Sequence, residues 1–364
     1  MRPEPILATN LLYAARPTVE VEGRVHPVVQ ELLVGMEVEE AEGGMAALEL
    51  RFANTATVER RGVDYAFEFS DVDLLSLGRP IRVSAGDEAD PQEIFRGVIS
   101  GVEFVAERDR QPELAVLAED ALQRARLARR TALHEAGTLA DLVEAVASRL
   151  GLRATVDGLR TSVGAQMQLN ESDLAFLRRI LDRYDADLQV VGEELRVAPR
   201  DQVRRSAVTL ELGSQLRSVR ALADLAQQTT RVTFSGWDPA QGRPIQVRSG
   251  SAGGLGPGTG RTGAQLLTEA FGERSEHLGN RAARDEAEAQ ALVDARFAQR
   301  ARRFVRVEAC AEGNPALRVG AHVTLAGLGP RFDNTYYLTR VRHRYGGADG
   351  YQTEFEGECA YFGG

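Results

Sequence analysis

The feature that most constrains the fold is a pair of strictly alternating segments near the C-terminus, residues 332–345 and 351–360. They flank a glycine-rich turn that contains Asp-Gly, which is typical of an antiparallel hairpin. Apolar residues share one face of both segments and charged residues share the other, so both faces predict the same register. With the turn centred on Ala348, that register pairs Val341 with Phe355, Arg342 with Glu354 and Arg340 with Glu356.

Short apolar-alternating segments also fill the first third of the chain, and their regular spacing indicates a small β barrel or sandwich. One of them, a predicted strand with Leu32, Val34, Met36 and Val38 alternating, turns at Gly43-Gly44 into a second hairpin. Strand patterns resume after residue 206 and end in the C-terminal hairpin. The sequence therefore predicts a β-rich α+β fold in four parts: an N-terminal arm (1–17), a first β domain (18–131), an α/β insert (132–205) and a second β domain (206–364).

The insert is predicted because the spacing of apolar residues changes from the alternation of strands to the three-to-four-residue period of helices. Thr138 and Asp141 have the spacing of a capping box, an apolar stripe follows to Leu150, and Gly151 is the expected stop. A second helix is expected to start at Asn170. Within the second β domain, the glycine-rich segment 249–263 predicts a flexible loop, and residues 264–304 predict a helical insertion with one short helix and one from about Ala282 to Phe304.

The two β-rich parts share a short pattern. Leu77-Gly78-x-x-Ile81-x-Val83 matches Val319-Gly320-x-x-Val323-x-Leu325, and Phe95-Arg96-Gly97 matches Phe332-Asp333-Asn334. An alternating return strand follows in both places. The pattern predicts two related β domains, which a trimer would present as six similar domains around a ring.

Composition excludes several classes of protein. The chain has 364 residues, a net charge of −9 and a pI near 5.3, which argues against nucleic acid as the main partner. No segment has the length and apolarity of a membrane span or a secretory signal, so no membrane partner is expected. All 44 basic residues are Arg; a GC-rich genome explains this, and a need for planar guanidinium groups at interfaces is the alternative. Cys310 and Cys359 are expected to be free thiols.

A search for reactive groups finds no nucleophile, metal or phosphate-binding motif, so no catalytic residue, cofactor or metal is predicted. The five histidines are scattered, and His343 is expected to pack in the hairpin with a hydrogen bond to Thr353. Glu119 with Asp120, or Asp71 with Asp73, resemble a glycosidase pair only in residue type, and surface carboxylates are the simpler interpretation.

Two groups of arginines are candidates for a partner interface. The stripe on the hairpin is also explained by cross-strand pairing with Glu354 and Glu356, whereas the second group has no obvious local partner and is expected to pair with carboxylates of the same or another subunit. The candidates are Arg340, Arg342 and Arg344 on the hairpin, and Arg124, Arg126, Arg129 and Arg130 before the insert.

The order of several motifs resembles the phage late control protein D family, the baseplate hub proteins of contractile tails, which are similar to the hub portion of the type VI secretion valine-glycine repeat protein G. One departure is Asn334, where the family usually has Gly; Asn tolerates the same left-handed turn. The residues that carry the resemblance are Leu317-Arg318-Val319-Gly320, Phe332-Asp333-Asn334-Thr335-Tyr336-Tyr337, Val341-Arg342-His343, Pro17-Thr18-Val19, 48–52, 94–97, 118–120, 169–177 and Gly236-Trp237-Asp238.

The resemblance implies a homotrimeric hub with two antiparallel β-barrel-like tube domains per chain, forming a pseudo-hexameric ring. The implied partners are a hexameric inner tube protein, a trimeric spike and other baseplate components. Because the sequence ends soon after the last strand, the spike is expected to be a separate protein. The resemblance also implies that the protein assembles in the bacterial cytoplasm into a tail-like injection particle. Two alternatives stay open at this stage: a tail-associated cell-wall hydrolase using paired carboxylates, and a cell-wall- or carbohydrate-binding module centred on residues 132–205.

Overall fold

The structure is a computed structural model, and it describes most of the chain. The described residues are 16–54, 56–58, 65–67, 69, 74–87, 90–108, 110–135, 137–250, 254–279, 281–347 and 349–363. Among them, no helix is both long enough and apolar enough to cross a bilayer.

The first part of the chain is almost entirely strand. Its elements are β1 (Thr18–Val21), β2 (Arg24–Val25), α1 (Pro27–Leu32), β3 (Leu33–Ala41), β4 (Ala47–Ala53), β5 (Ala56–Val58), β6 (Tyr65–Phe67), β7 (Pro80–Asp87), β8 (Asp90–Val105) and β9 (Glu113–Glu119). Leu32 was predicted as part of a strand, but it is the last residue of α1, and the strand starts at Leu33. Val34 was predicted on the apolar face, but it is exposed, because the register of β3 shifts between Leu33 and Gly35.

The middle part alternates helices and short strands. These are α2 (Gln123–Leu127), β10 (Arg129–Glu135), α3 (Leu139–Leu150), β11 (Arg153–Val156), β12 (Ala165–Ser172), α4 (Asp173–Arg183), β13 (Ala186–Val191) and β14 (Glu194–Pro199), followed by a 3-10 turn at Arg200–Gln202. The capping box of Thr138 and Asp141 and the Gly151 stop of α3 are confirmed. The predicted start of α4 is wrong: Ser172 caps the helix, and Asn170 belongs to β12.

The last part returns to strands with two further helices. Its elements are β15 (Ala207–Glu211), β16 (Leu216–Ala223), β17 (Arg231–Asp238), β18 (Arg243–Ser249), β19 (Arg261–Thr262), α5 (Gly263–Phe271), β20 (Ser275–His277), α6 (Glu286–Arg302), β21 (Val305–Glu312), β22 (His322–Ala326), β23 (Asn334–Gly346), β24 (Gly350–Cys359) and β25 (Tyr361–Phe362). The predicted hairpin is β23–β24, and its register is confirmed at all three predicted pairs.

The β-rich prediction is confirmed, but the two halves share one sheet of 13 strands. The main path runs β16-β21-β24-β23-β3-β4-β9-β8-β7-β1-β2, with β22 paired to β23 and β15 paired to β22. Among the described strands, no pairing closes either half into a barrel. The connection between the halves is the pairing of β3 with β23, which lie about 300 residues apart in sequence.

Each half contains a five-stranded unit of the same order. The first β unit is β3-β4-β9-β8-β7, and the second β unit is β16-β21-β24-β23-β22. The hydrogen bonds agree in detail: Gly78 N–H donates to Ile99 O (2.8 Å) and Gly320 N–H donates to Leu338 O (2.9 Å). Both glycines have positive φ, 84° and 85°. The sequence pattern at Gly78 and Gly320 therefore marks a real structural repeat.

The two units also share their β-bulges. The register shifts after Ile99 in β8 and after Leu338 in β23, so each strand has one extra residue there. The hydroxyl of that residue donates to a carbonyl of the neighbouring strand. Ser100 donates to Leu117 O and Thr339 donates to Glu356 O, both at 3.4 Å. This equivalence corrects one part of the predicted repeat. When the bulges are aligned, Phe95 corresponds to Asn334 and not to Phe332. The match between the two Phe motifs in the sequence is therefore two residues out of step with the structure.

Four apolar cores accompany these elements. One fills the first β unit, one the insert and one the second β unit, and the fourth lies between α6 and the sheet β18-β17-β20. Tyr351 of β24 packs in the core of the first unit, so the two units are joined by side chains as well as by backbone.

Part of the glycine-rich segment is packed, which contradicts its prediction as a free loop. Leu255 is 2% exposed, and Arg261 and Thr262 pair with β25. Asn334 holds the segment, because its side chain accepts from Thr259 N–H (3.0 Å) and donates to Thr259 O (2.9 Å). Asn334 is not among the residues with positive φ, so its amide, and not a left-handed turn, explains its presence.

Candidate assembly surface: the joint between the two β units

The pairing of β3 with β23, called the joint here, is the place where sequence-predicted candidate residues come together. Seven antiparallel residue pairs form it, from Arg340 opposite Ala41 to Gly346 opposite Gly35. Because side chains alternate along a strand, the joint has a solvent face and a core face. The predicted arginine stripe lies on the solvent face.

On the solvent face, the three arginines form a ladder of ion pairs with carboxylates on both neighbouring strands. The carboxylates of β24 were predicted, and those of β3 were not. The N–O distances are 3.2 Å for Arg340–Glu39, 3.3 Å for Arg340–Glu356, 3.2 Å for Arg342–Glu37, 3.4 Å for Arg342–Glu39, 3.6 Å for Arg342–Glu354, 3.7 Å for Arg344–Glu37 and 2.9 Å for Arg344–Glu354.

On the core face, Val341 and His343 are fully buried. The Nδ1 atom of His343 lies 2.9 Å from the Tyr351 hydroxyl and 3.2 Å from the Thr353 hydroxyl. The predicted packing of His343 against Thr353 is confirmed, and Tyr351 adds a second partner. Burial, reinforced by the positive charge of Arg318, lowers the pKa of His343 to about 3, so the imidazole is neutral in the folded protein.

A buried ion pair closes the end of the joint. Arg318 Nε donates to Glu40 at 2.8 Å, its Nη1 donates to the Glu93 carbonyl at 3.0 Å, and Val319 N–H donates to the other Glu40 oxygen at 3.3 Å. Burial alone would raise the pKa of Glu40, but the Arg318 guanidinium outweighs it and lowers the pKa to about 2. Since Arg318 belongs to the second unit and Glu40 to the first, this pair ties the two together.

A second buried cation attaches the insert to both units. Arg200, at the end of the insert, contacts Glu42 in the β3–β4 turn and lies 3.0 Å from Glu358 of β24. Its guanidinium also stacks 4.3 Å from the centre of the Tyr337 ring. A planar guanidinium serves all three contacts, which an ammonium group does not.

The other predicted arginines lie around α2 and β10, away from the joint. Arg126 donates to Glu119 (2.7 Å), Arg129 donates to the Asn170 carbonyl (3.1 Å) and Arg130 lies 3.4 Å from Asp173. These contacts hold the insert and are within the chain. Arg124 is exposed, and within the described part of the chain it has no ion-pair partner. Its role at a partner interface stays a prediction.

Of the carboxylates considered for chemistry, Asp120 has a structural role. The two oxygens of Asp120 accept backbone N–H groups of Ala46 (2.7 Å) and Leu122 (2.8 Å), and burial raises the pKa of its carboxyl to about 6. Asp71 and Asp73 lie outside the described residues. Cys310 and Cys359 are free thiols, half-buried and buried. Within the described ranges, no group of three or more His, Cys, Asp or Glu residues has the arrangement of a metal site.

Sequence reasoning missed Glu37, Glu39 and Glu40, which supply half of the joint. The signal was present, because β3 carries alternating carboxylates where β23 carries alternating arginines. Complementary stripes on two predicted strands favour their pairing, although many other strands in a chain this size compete for the same partner.

Comparison with known proteins assigns the chain to a family. The family model of the Alg8 N-terminal domain matches residues 50–346, which is more than half of the sequence. The chain belongs to this family. No protein of curated function matches it.

The fold of this chain is similar to that of several solved tail proteins, each 12% identical to it. The 43 kDa tail protein of prophage MuSo2 from Shewanella oneidensis has a TM-score of 0.67, with 95% of this chain and 98% of that one covered. A Neisseria meningitidis tail protein gives 0.65, covering 94% and 96%. An E. coli type VI secretion component, described as similar to the T4 tail proteins gp27 and gp5, gives 0.58, covering 94% and 78%. The resemblance to baseplate hubs is thus confirmed for the fold.

Proposed function

We propose that this protein is the structural hub of a contractile injection system, acting as a homotrimer between a hexameric inner tube protein and a trimeric spike. The observation that carries the proposal is the five-stranded unit that occurs twice in one chain, with equivalent glycines and bulges. Three copies of such a chain present six similar units, which is what a junction between six-fold and three-fold partners requires.

The likeness to two tail proteins and to a type VI secretion component supports the same proposal, since it extends over 94–95% of this chain. In this proposal residues 18–131 and 206–364 are the tube domains, 132–205 is the insert between them, and the spike is a separate chain. Arg124 faces other baseplate components. The particle assembles in the bacterial cytoplasm.

The sharpest test is electron microscopy of tail-like particles isolated from the bacterium that encodes the chain. We expect three copies of the chain in a ring at the spike end of the tube, with six similar β units around the axis. Light scattering of the purified chain gives a second reading, with a mass of three chains expected. Particles that contain the chain at another stoichiometry or another place would overturn the proposal.

A further inference from the structure

A patch of exposed apolar side chains lies on the insert. β10 and β12 pair antiparallel and form a two-stranded ribbon. Leu133 of β10 lies directly opposite Met167 of β12, and Leu169 is two residues further along β12. The exposed fractions of these three side chains are 54%, 51% and 69%. They are called the ribbon patch here. Large apolar side chains grouped on an exposed surface are typical of a binding site.

The opposite face of the ribbon is covered by α4. His134 stacks on the ring of Phe176, with the ring centroids 4.7 Å apart. Gln168 is fully buried, and its side chain donates to the carboxylate of Asp173 at 3.0 Å. Because side chains alternate along a strand, these residues hold the inner face and the ribbon patch lies on the outer one. The folding of the insert therefore does not account for the ribbon patch.

A β-bulge holds Leu169 in solvent. The register of the ribbon shifts between Arg130 and Ala132, so that Leu169 and Asn170 lie opposite Thr131 alone. Asn170 has a φ of 47°, in the left-handed region that residues with a side chain rarely adopt. The Thr131 hydroxyl fixes this conformation by accepting from Asn170 N–H at 3.2 Å. Bulges commonly re-aim a side chain beside a functional site.

Two arginines lie against the ribbon patch. Arg129 donates to the carbonyl of Asn170, next to Leu169 in the chain, at 3.1 Å, and it has no ion-pair partner among the described residues. Arg179 donates to the carbonyl of Met167 at 2.8 Å and also pairs with a carboxylate of β12. Main-chain carbonyls thus hold two guanidinium groups beside the apolar side chains, and the charge of Arg129 is not neutralised within the described chain.

The surrounding sequence has the same sign. Residues 123–130 contain four arginines and no carboxylate, in a chain whose net charge is −9. Leu127 within this segment is 70% exposed. At the far end of the ribbon Glu135 lies opposite Ala165, so the charge changes from basic to acidic along its length. A basic border around apolar side chains complements a partner that carries acidic and apolar residues.

We infer that the ribbon patch binds an amphipathic helix of a partner protein, with its apolar side chains on the patch and its acidic side chains toward Arg129. An apolar sheet face is ordinarily covered by another layer of structure, and α4 supplies that layer only on the inner face. A strand added to the edge of the ribbon would leave the patch exposed, whereas a helix laid across it buries all three side chains. Two copies of the chain meeting patch to patch would bring the same arginines together. This inference goes beyond the proposed function and does not depend on it.

Fluorescence anisotropy with the full-length chain tests the inference. The probe is a fluorescein-labelled synthetic helix with leucines on one face and glutamates on the other, and its analogue has lysine in place of every glutamate. We expect the acidic helix to bind about fivefold more tightly than the basic one, because the border charges are exposed and each contributes little. Arg129→Gln should reduce this preference and leave the binding of the basic helix no weaker.

Substitutions in the patch test the apolar contact. Met167→Glu should weaken binding of the acidic helix by about tenfold or more, since it removes a buried apolar side chain and adds a like charge. Leu133→Gln, on the facing strand, should weaken it in the same direction without adding a charge. The matched control is Leu222→Glu, which changes an exposed apolar residue of β16, and it should bind like the wild type. Circular dichroism should show the same folded spectrum for every variant, because all of these side chains are exposed.

The outcomes are distinct. A wild-type chain that binds neither helix overturns the inference, and so does a pair of folded patch variants that bind the acidic helix like the wild type. Equal affinity for the two helices would show that the partner is not acidic. If Met167→Glu lowers the mass of the chain in light scattering, the patch joins copies of this chain and the partner helix is wrong. The presence or absence of a three-fold ring in particles changes none of these results, so the hub proposal and this inference fail separately.

Discussion

The two β units have the same strand order and the same bulges, but their equivalent strands are in different environments. Val341 in the second unit is fully buried, while Val102 in the first unit is 43% exposed. Both side chains point to the same side of equivalent strands. The difference arises from the neighbouring strand, which is present on β23 and absent among the described strands on β8. An apolar alternation thus specifies a face, and pairing decides whether that face is buried.

The units also differ in buried charge. Arg318 and Glu40 form the ion pair at the end of the joint, and the residues at the equivalent positions of the repeat are Ser76 and Ala223. A joint within one chain forms in every folded molecule, so the two desolvated charges always meet.

The largest effect is expected from removing one charge of the buried pair. Arg318→Met leaves the buried carboxylate of Glu40 without its ion-pair partner and should lower the free energy of unfolding by ~3–5 kcal/mol. Urea unfolding followed by circular dichroism measures it. The double variant Arg318→Met with Glu40→Leu should recover most of the loss, and a loss below about 1 kcal/mol in the single variant would contradict the role given to this pair.

The equivalent glycines sharpen the comparison. Gly78→Ala places a Cβ at positive φ in open space and should cost ~1–2 kcal/mol. Gly320→Ala has the same backbone strain, but its Cβ would lie 2.8 Å from a methyl carbon of Val203, so a further ~1–3 kcal/mol is expected from overpacking. Equal losses in the two variants, measured in the same urea series, would show that Val203 moves away freely.

A smaller effect concerns acid stability. The pKa of His343 falls from its ordinary value of 6.5 to about 3 in the folded protein, so the unfolded chain binds an extra proton between these values. Its contribution to stability is complete above pH 6.5 and is lost as the pH falls, with a slope of up to ~1.4 kcal/mol per pH unit. His343→Gln keeps an acceptor for Tyr351 and should flatten the decline between pH 6.5 and 4.5 in urea unfolding.

The smallest effect is expected on the solvent face of the joint. The side chain of Arg340 is 49% exposed, and it pairs with Glu39 and Glu356. Solvent screens such pairs, so Arg340→Gln should cost less than about 1 kcal/mol. Raising the salt concentration should shrink the difference from the wild type further. A larger loss would show that the ladder acts as one network.

The sequence predicts the β23–β24 hairpin to the residue, because the turn and two alternating faces act over a short distance. The same kind of local signal fixes the capping box and the stop of α3. The local signal does not give the start of α4, because both Asn170 and Ser172 have side chains that can cap a helix. Only the pairing of β12 with β10 decides between them.

The joint could not be derived in the same way. Its strands are about 300 residues apart, and periodicity describes one strand without naming its neighbour. The carboxylates of β3 therefore looked like solvated surface. The packing of Leu255 and Thr259 was hidden for a related reason: glycine-rich composition predicts freedom, while the side chain that restrains the segment, Asn334, is 75 residues away from Thr259.

The two β units are parts of one polypeptide, and this covalent link sets their proportions. Every translated molecule supplies one copy of each unit, so neither unit can be produced in excess. Two separate chains would need balanced expression to reach the same ratio. A single polypeptide keeps the two units equal in number at any level of expression.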